Sequence, residues 1–232
     1  MEFAVDIDGT IAKFGVPGLL DHLREALRIP LLDVPSDISW HDVFTLPEVV
    51  AYKKAHRKRY QRIQDNVMGS LLVLRASTPM PHSVETLNHL TRIGSVSYVT
   101  CRGNEDGELQ TTMWWLAQFG YPKPDQVQFC ADFGRKLFTL MRLPSEQVMM
   151  IDDRAHEIAE ALHMVEEKVG SEPYGARLLE QARRKLTLVF FGQDRDVSPF
   201  TYPGVRMVAL PSWDRFDDIC GKLVRNVELQ GA

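Results

Sequence analysis

Residues 3–14, FAVDIDGTIAKF, begin as an apolar run and end in a polar turn. The run stops at two carboxylates, Asp6 and Asp8, which are followed directly by Gly9. Burying carboxylates is unfavourable unless a cation or hydrogen bonds compensate. The stretch therefore predicts either a solvated surface turn or the start of an active site, and the rest of the chain must decide between them.

Five more apolar runs have the same character as the first one. They are too short for helices and rich in β-branched or aromatic residues, and they lie at 95–100, 126–131, 148–152, 186–191 and 205–210. Helical patterns at 83–94, 108–120 and 157–170 separate most of them, and each ends at a glycine. Strands that alternate with helices predict an α/β fold, a Rossmann-like and mostly parallel sheet with helices on both faces.

One region breaks this alternation. About seventy residues separate the first strand from the helix at 83, which is far longer than an ordinary connection. They carry helical patterns at 17–28 and 47–66 and no convincing strand. We therefore predict a helical cap inserted at 15–79, with a core formed by 1–14 and 80–232.

The overall composition excludes several classes of protein. A net charge of −4 over 232 residues argues against a nucleic-acid polymer as partner, and no apolar stretch is long enough to cross a bilayer. Three widely spaced cysteines favour neither disulfides nor a zinc site. Met1 leads almost directly into the first strand, which leaves no room for a signal peptide. We expect a cytoplasmic protein and leave its oligomeric state open.

Four polar segments lie at or just beyond the carboxyl ends of four of the predicted strands. These segments are Asp6–Thr10, Thr100–Gly103, Asp132–Lys136 and Asp152–Arg154. The carboxyl ends of parallel strands lie at one edge of the sheet, so the four segments should converge there. Mg²⁺ prefers oxygen ligands and commonly takes one or two carboxylates together with substrate phosphate. The pattern favours a magnesium-dependent active site over a surface turn.

The order of these segments resembles the haloacid dehalogenase (HAD) superfamily, whose phosphatases carry D-x-D-G-T after the first strand and an acidic pair after a later one. The resemblance covers roughly 1–14 and 80–160. It implies a Mg²⁺-dependent phosphomonoester hydrolase that forms an aspartyl-phosphate. Asp6 would be the nucleophile and a metal ligand. Asp8 would be the general acid and base, with its backbone carbonyl on the metal.

The resemblance also implies the groups that hold the phosphoryl group and the metal. Thr100 would donate a hydrogen bond, and Lys136 would neutralise charge, with Arg135 as the alternative cation. Asp153 is favoured as the direct metal ligand and Asp152 as its partner, without excluding the reverse. Candidate substrate contacts are Thr10, Cys101 and Arg102.

The substrate is the least predictable feature. The cap after strand one and the stretch MIDDR (150–154) resemble the 5'(3')-deoxyribonucleotidases, so a nucleoside monophosphate is the first expectation and a sugar phosphate the next. Two other classes stay open, a phosphotransferase or phosphomutase and a non-catalytic domain that binds a phosphorylated partner. The basic residues at 53–62 are interpreted as a solvated helix face, with a polyanion-binding role as the alternative.

Overall fold

The computed structural model describes residues 1–31, 34, 38, 40–65, 67, 70–101, 108–192 and 201–224. Its strands are β1 (Glu2–Val5), β2 (Ala12–Lys13), β3 (Thr78–Pro79), β4 (Ser95–Thr100), β5 (Val127–Phe129), β6 (Val148–Asp152), β7 (Leu186–Phe191) and β8 (Arg206–Leu210). Its helices are α1 (Val16–Leu27), α2 (Trp40–Val43), α3 (Pro47–Ala55), α4 (Arg57–Asp65), α5 (Leu71–Ala76), α6 (Ser83–Leu90), α7 (Glu108–Gln118), α8 (Phe133–Arg142), α9 (Ala155–Val169), α10 (Pro173–Lys185) and α11 (Phe216–Ile219).

Six strands form one parallel sheet in the order β5-β4-β1-β6-β7-β8. They correspond to the six apolar runs. Residues of α6, α7 and α11 pack in one buried cluster with the sheet, and residues of α8, α9 and α10 pack in another. The predicted α/β fold with a parallel sheet is confirmed.

Strand β1 lies at the centre of the sheet, which explains its continuous apolar character. It pairs with β4 on one side and with β6 on the other. Its side chains alternate between the two faces, since Phe3 and Val5 belong to one buried cluster and Ala4 to the other. Every residue of the strand is therefore buried.

The strand order also fixes where a ligand can bind. From β1 the chain passes through β4 to β5 on one side, and then through β6 and β7 to β8 on the other. The connections therefore diverge at β1. In open α/β sheets such a switch point leaves a crevice beyond the carboxyl ends of the strands.

The segment between β2 and β3 has a hydrophobic core of its own. Helices α1, α3, α4 and α5 contribute buried residues to one cluster that includes Leu19, Leu23, Val49 and Val73. The chain leaves and re-enters the main body through an antiparallel pair, in which Ala12 lies opposite Pro79. The division into a core and a cap at 15–79 stays an interpretation of this arrangement.

The helix predicted at 47–66 is two helices, α3 and α4. His56 separates them, because its backbone (φ −134°, ψ 46°) leaves the helical region while its N–H still donates to Tyr52 O at 2.8 Å. The basic side chains of this segment are exposed on both helices; they are Lys53, Lys54, Arg57, Lys58 and Arg62. Within the described ranges, no helix combines the length and the apolar character that crossing a membrane requires.

Candidate active site

Three carboxylates meet at the carboxyl ends of β1 and β6. The parallel register sets Val5 beside Ile151, and the N–H of Asp6 donates to Ile151 O at 2.9 Å. Asp6 is therefore brought next to Asp152 and Asp153, and oxygens of the three carboxylates lie within 4.8 Å of one another. Neighbouring strand ends thus bring together residues that are far apart in sequence.

The cation that compensates this charge is Lys136. Its Nζ donates to Asp6 Oδ1 at 2.7 Å and to Asp152 Oδ2 at 2.6 Å, and the side chain is 1% exposed. Burial alone would lower the pKa of Lys136, but the two carboxylates outweigh burial and raise it above its ordinary value. The ammonium is therefore favoured in its charged form, as a counter-ion between Asp6 and Asp152.

Helix α8 holds this lysine in place. Its first turn is capped by Asp132, whose carboxylate accepts a hydrogen bond from the N–H of Arg135 at 2.7 Å. Between the two candidate cations, Lys136 is the one that contacts the carboxylates, whereas Arg135 lines a different cavity.

The two members of the acidic pair differ in their environment. Asp152 has both oxygens engaged, since Oδ2 accepts from Lys136 and Oδ1 accepts from the N–H of Arg154 at 2.7 Å. Asp153 is held mainly by its backbone, whose N–H donates to the Thr10 hydroxyl at 3.0 Å. This difference favours Asp153 as the direct metal ligand.

Thr10 connects the loop after β1 to the loop after β6 by hydrogen bonds with Asp153. Its hydroxyl is fully buried and lies between the N–H of Asp153 and Asp153 Oδ1, the latter at 3.5 Å. Its carbonyl accepts from the indole N–H of Trp213 at 2.8 Å. Thr10 does not line the cavity described below, so the geometry gives it a positioning role, and the substrate contact predicted for it stays a prediction.

Burial perturbs the carboxyls of this site. It raises the pKa of Asp6 well above its ordinary value, which Lys136 opposes and Asp152 reinforces. Burial, with the adjacent Asp152, raises the pKa of Asp153 to about 7. Perturbed carboxyl groups of this kind cluster at functional sites, and structural ion-pair networks also produce them.

An open cavity with about 450 Å³ of empty space stands over these groups. It is lined by Asp6, Asp8, Phe14, Thr100, Cys101, Phe133, Lys136, Asp152, Asp153 and Arg154. The four predicted segments thus do converge. Asp8 lines the cavity while lying outside the three-carboxylate cluster found among the described residues. Arg102 lies outside the described residues.

Thr100, the last residue of β4, and Cys101, the residue after it, differ in the groups that they present to the cavity. Thr100 is buried, and its Oγ1 has no hydrogen-bond partner among the described residues, which leaves a donor available at the cavity wall. Burial raises the pKa of the Cys101 thiol to about 12. Cys101 is therefore a neutral wall residue and a poor nucleophile.

Phe133 and Arg154 lie within two of the predicted segments, but neither was singled out from the sequence as a site residue. The Arg154 guanidinium lies 4.9 Å from the centre of the Phe133 ring, and Lys136 Nζ lies 5.4 Å from it. A signal was present for Phe133, because it is three residues before Lys136 on α8 and therefore shares its helix face. For Arg154 the signal was its place directly after the acidic pair.

The donor set suits a hard divalent cation. All three clustered groups are carboxylates, and oxygen ligands of this kind are those that Mg²⁺ and its congeners prefer. Asp6, Asp152 and Asp153 are the residues that would hold such an ion. The raised pKa values of Asp6 and Asp153 agree with a site in which added positive charge would be favourable.

Comparison with solved structures identifies the fold class. A Clostridium difficile protein provisionally described as a phosphatase matches with a TM-score of 0.52 and 12% identity, over 94% of this chain and 96% of that one. A HAD-superfamily hydrolase of subfamily IA from Geobacter sulfurreducens matches with a TM-score of 0.50 and 10% identity, over 94% of each chain. No protein-family profile and no curated protein sequence matches significantly. The fold is that of the HAD-superfamily hydrolases, as the DIDGT resemblance implied, while the deoxyribonucleotidase-like subtype stays a prediction.

Proposed function

We propose that this protein is a phosphomonoester hydrolase that depends on Mg²⁺ and uses Asp6 as its nucleophile. The observation that carries the proposal is the buried bridge from Lys136 to Asp6 and Asp152, at the base of an open cavity. A charged lysine between two carboxylates at this point would be costly as a purely structural device. The same arrangement has a use if a phosphoryl group binds here, because the lysine can then neutralise part of the phosphoryl charge.

The first half-reaction is assigned to Asp6 and Asp8. Lys136 holds Asp6 Oδ1, which leaves the other oxygen to attack phosphorus. The new O–P bond forms as the bond to the leaving oxygen breaks, and the Asp8 carboxyl gives its proton to that oxygen. The products are an alcohol and an aspartyl-phosphate.

The second half-reaction returns the enzyme to its starting state. The Asp8 carboxylate takes a proton from water, whose oxygen attacks phosphorus and displaces the Asp6 carboxylate as inorganic phosphate leaves. Thr100 and Lys136 would donate to the phosphoryl oxygens throughout. A divalent cation held by Asp6, Asp152 and Asp153 would add positive charge for the phosphoryl oxygens and keep the carboxylates ionised.

The first substrate to test is a nucleoside monophosphate, followed by sugar phosphates. Phe14 and Phe133 both line the cavity, and an aromatic ring there could pack against a base or a sugar face. Partner proteins and membranes have no part in this proposal.

The decisive experiment compares variants on a generic aryl phosphate with Mg²⁺. Asp6→Asn should lose activity by several orders of magnitude, because it removes the nucleophile, and Asp8→Asn by about 10²- to 10⁴-fold, because it removes the acid and base of both half-reactions. Asp125→Asn, an exposed aspartate before β5, serves as the matched control and should keep wild-type turnover. A panel of phosphorylated metabolites then identifies the substrate.

The other classes give different results in the same assay. Equal turnover in wild type and Asp6→Asn, or none in either with any divalent ion, would favour a binding domain. A trapped phosphoenzyme with slow hydrolysis would instead favour a phosphotransferase or phosphomutase.

A further inference from the structure

A second cavity lies beside β5, which is an edge strand of the sheet. It has about 620 Å³ of empty space and is open to solvent. Its lining is Phe129, Cys130, Ala131, Arg135, Phe138, Thr139 and Arg142. No residue is shared with the lining of the active-site cavity.

Helix α8 separates the two cavities by its geometry. Arg135, Phe138, Thr139 and Arg142 recur at intervals of three and four residues, which sets them on one helix face. Lys136 stands about 100° further round the helix and reaches Asp6 instead. Consecutive residues of one helix thus serve two different cavities.

Two arginines line the second cavity, and its lining contains no carboxylate. Among the described residues, neither the Arg135 nor the Arg142 guanidinium forms an ion pair, and both side chains are exposed. An anion in this cavity would therefore meet two positive charges. Guanidinium groups present forked N–H donors that match phosphate oxygens.

Two further contacts shape the lining of this cavity, a hydrogen bond between Cys130 and Thr139 and a ring contact between Phe138 and Tyr174. The Cys130 thiol donates to the Thr139 hydroxyl at 3.5 Å, and burial raises the pKa of Cys130, so the thiol keeps its proton. Thr139 can therefore donate its own proton to a ligand. The Phe138 ring stacks on Tyr174, with ring centres 6.0 Å apart and planes 19° apart, and Phe138 gives the cavity an apolar wall.

We propose that this cavity is a second binding site, for a small molecule that carries a phosphoryl group held by Arg135, Arg142 and Thr139. A phosphoryl dianion offers three acceptor oxygens to two guanidinium forks and one hydroxyl, which a single carboxylate cannot match. The site stands on its own residues and does not depend on the proposed hydrolase activity.

The test is calorimetric titration of inorganic pyrophosphate into metal-free protein at fixed ionic strength. Arg135→Gln and Arg142→Gln should each weaken binding at least tenfold. Arg206→Gln is the matched control, since it removes the same charge from the opposite edge of the sheet, on β8, and should leave affinity unchanged. Thermal unfolding of each variant checks that the exposed arginines are not needed for folding.

Four outcomes would overturn the assignment. Absence of binding to the wild type is one, and equal weakening by Arg206→Gln is another, because it would indicate unspecific charge. Loss of binding in Arg154→Gln, but not in the Arg135 and Arg142 variants, would move the anion to the active-site cavity. Malonate should bind more weakly than pyrophosphate, and tighter malonate binding would contradict a phosphoryl site.

Discussion

At the scale of single residues, Gly9 explains why the first strand ends as it does. Its φ is +77°, a left-handed conformation that favours glycine, and a Cβ there would lie 2.3 Å from Asp153 Oδ2. Gly9→Ala should therefore displace the Asp153 carboxylate. We expect Mg²⁺ or Mn²⁺ affinity, measured by calorimetry, to fall at least tenfold.

Gly192 provides the control for this substitution. It has a similar φ of +73°, but a Cβ added there would meet no atom of the described residues within 4 Å. Gly192→Ala should cost about 1 kcal/mol of unfolding free energy through backbone strain and leave metal affinity intact. Equal metal affinity in the two alanine variants would show that Gly9 does not protect Asp153.

At the scale of elements, the cap of α8 supports the active-site lysine. Asp132→Ala removes the acceptor for the N–H of Arg135 and should destabilise the protein by about 1 kcal/mol in urea unfolding. Asp132→Ser keeps an N-cap oxygen and should recover most of that loss. Equal unfolding free energies for the alanine and serine variants would mean that the cap contributes nothing.

At the scale of the whole molecule, the site makes folding depend on pH. Burial raises the pKa of Asp153 to about 7, above the value of an unfolded aspartate near 4. The folded state then holds more protons between these values, so the contribution of this group to stability falls as pH rises from about 4 to about 7. We expect the metal-free protein to lose up to about 4 kcal/mol over this window through Asp153.

Comparison with Asp153→Asn isolates that contribution, because the amide does not titrate. The difference in unfolding free energy between the two proteins should change with pH in the metal-free state. Added Mg²⁺ should reduce the change for the wild type, since the cation replaces the protons. Parallel pH profiles in the absence of metal would contradict a raised pKa for Asp153.

Much of the fold could be predicted because its signals are local. Each strand of the sheet is a short apolar run, and the central strand β1 is apolar throughout because it is buried on both faces. The break between α3 and α4 at His56 could not be predicted from the sequence pattern, because the helical spacing of apolar residues continues across it. The positions of Asp6 and Asp152 were predictable because both lie at the carboxyl ends of strands of one parallel sheet.

Local patterns of residues were enough to predict the order of strands and helices, and the chemical groups at the carboxyl end of each strand. Which of those groups meet depends on the packing of the folded chain. The rotation of α8 about its own axis, relative to the sheet, decides which of its side chains face the active-site cavity. Lys136 contacts Asp6, whereas Arg135 lines the second cavity, although the two residues are adjacent in the chain. Likewise the Thr10 hydroxyl is held by Asp153, 143 residues away. Such choices depend on how whole elements pack, and a local pattern carries no information about distances of that kind.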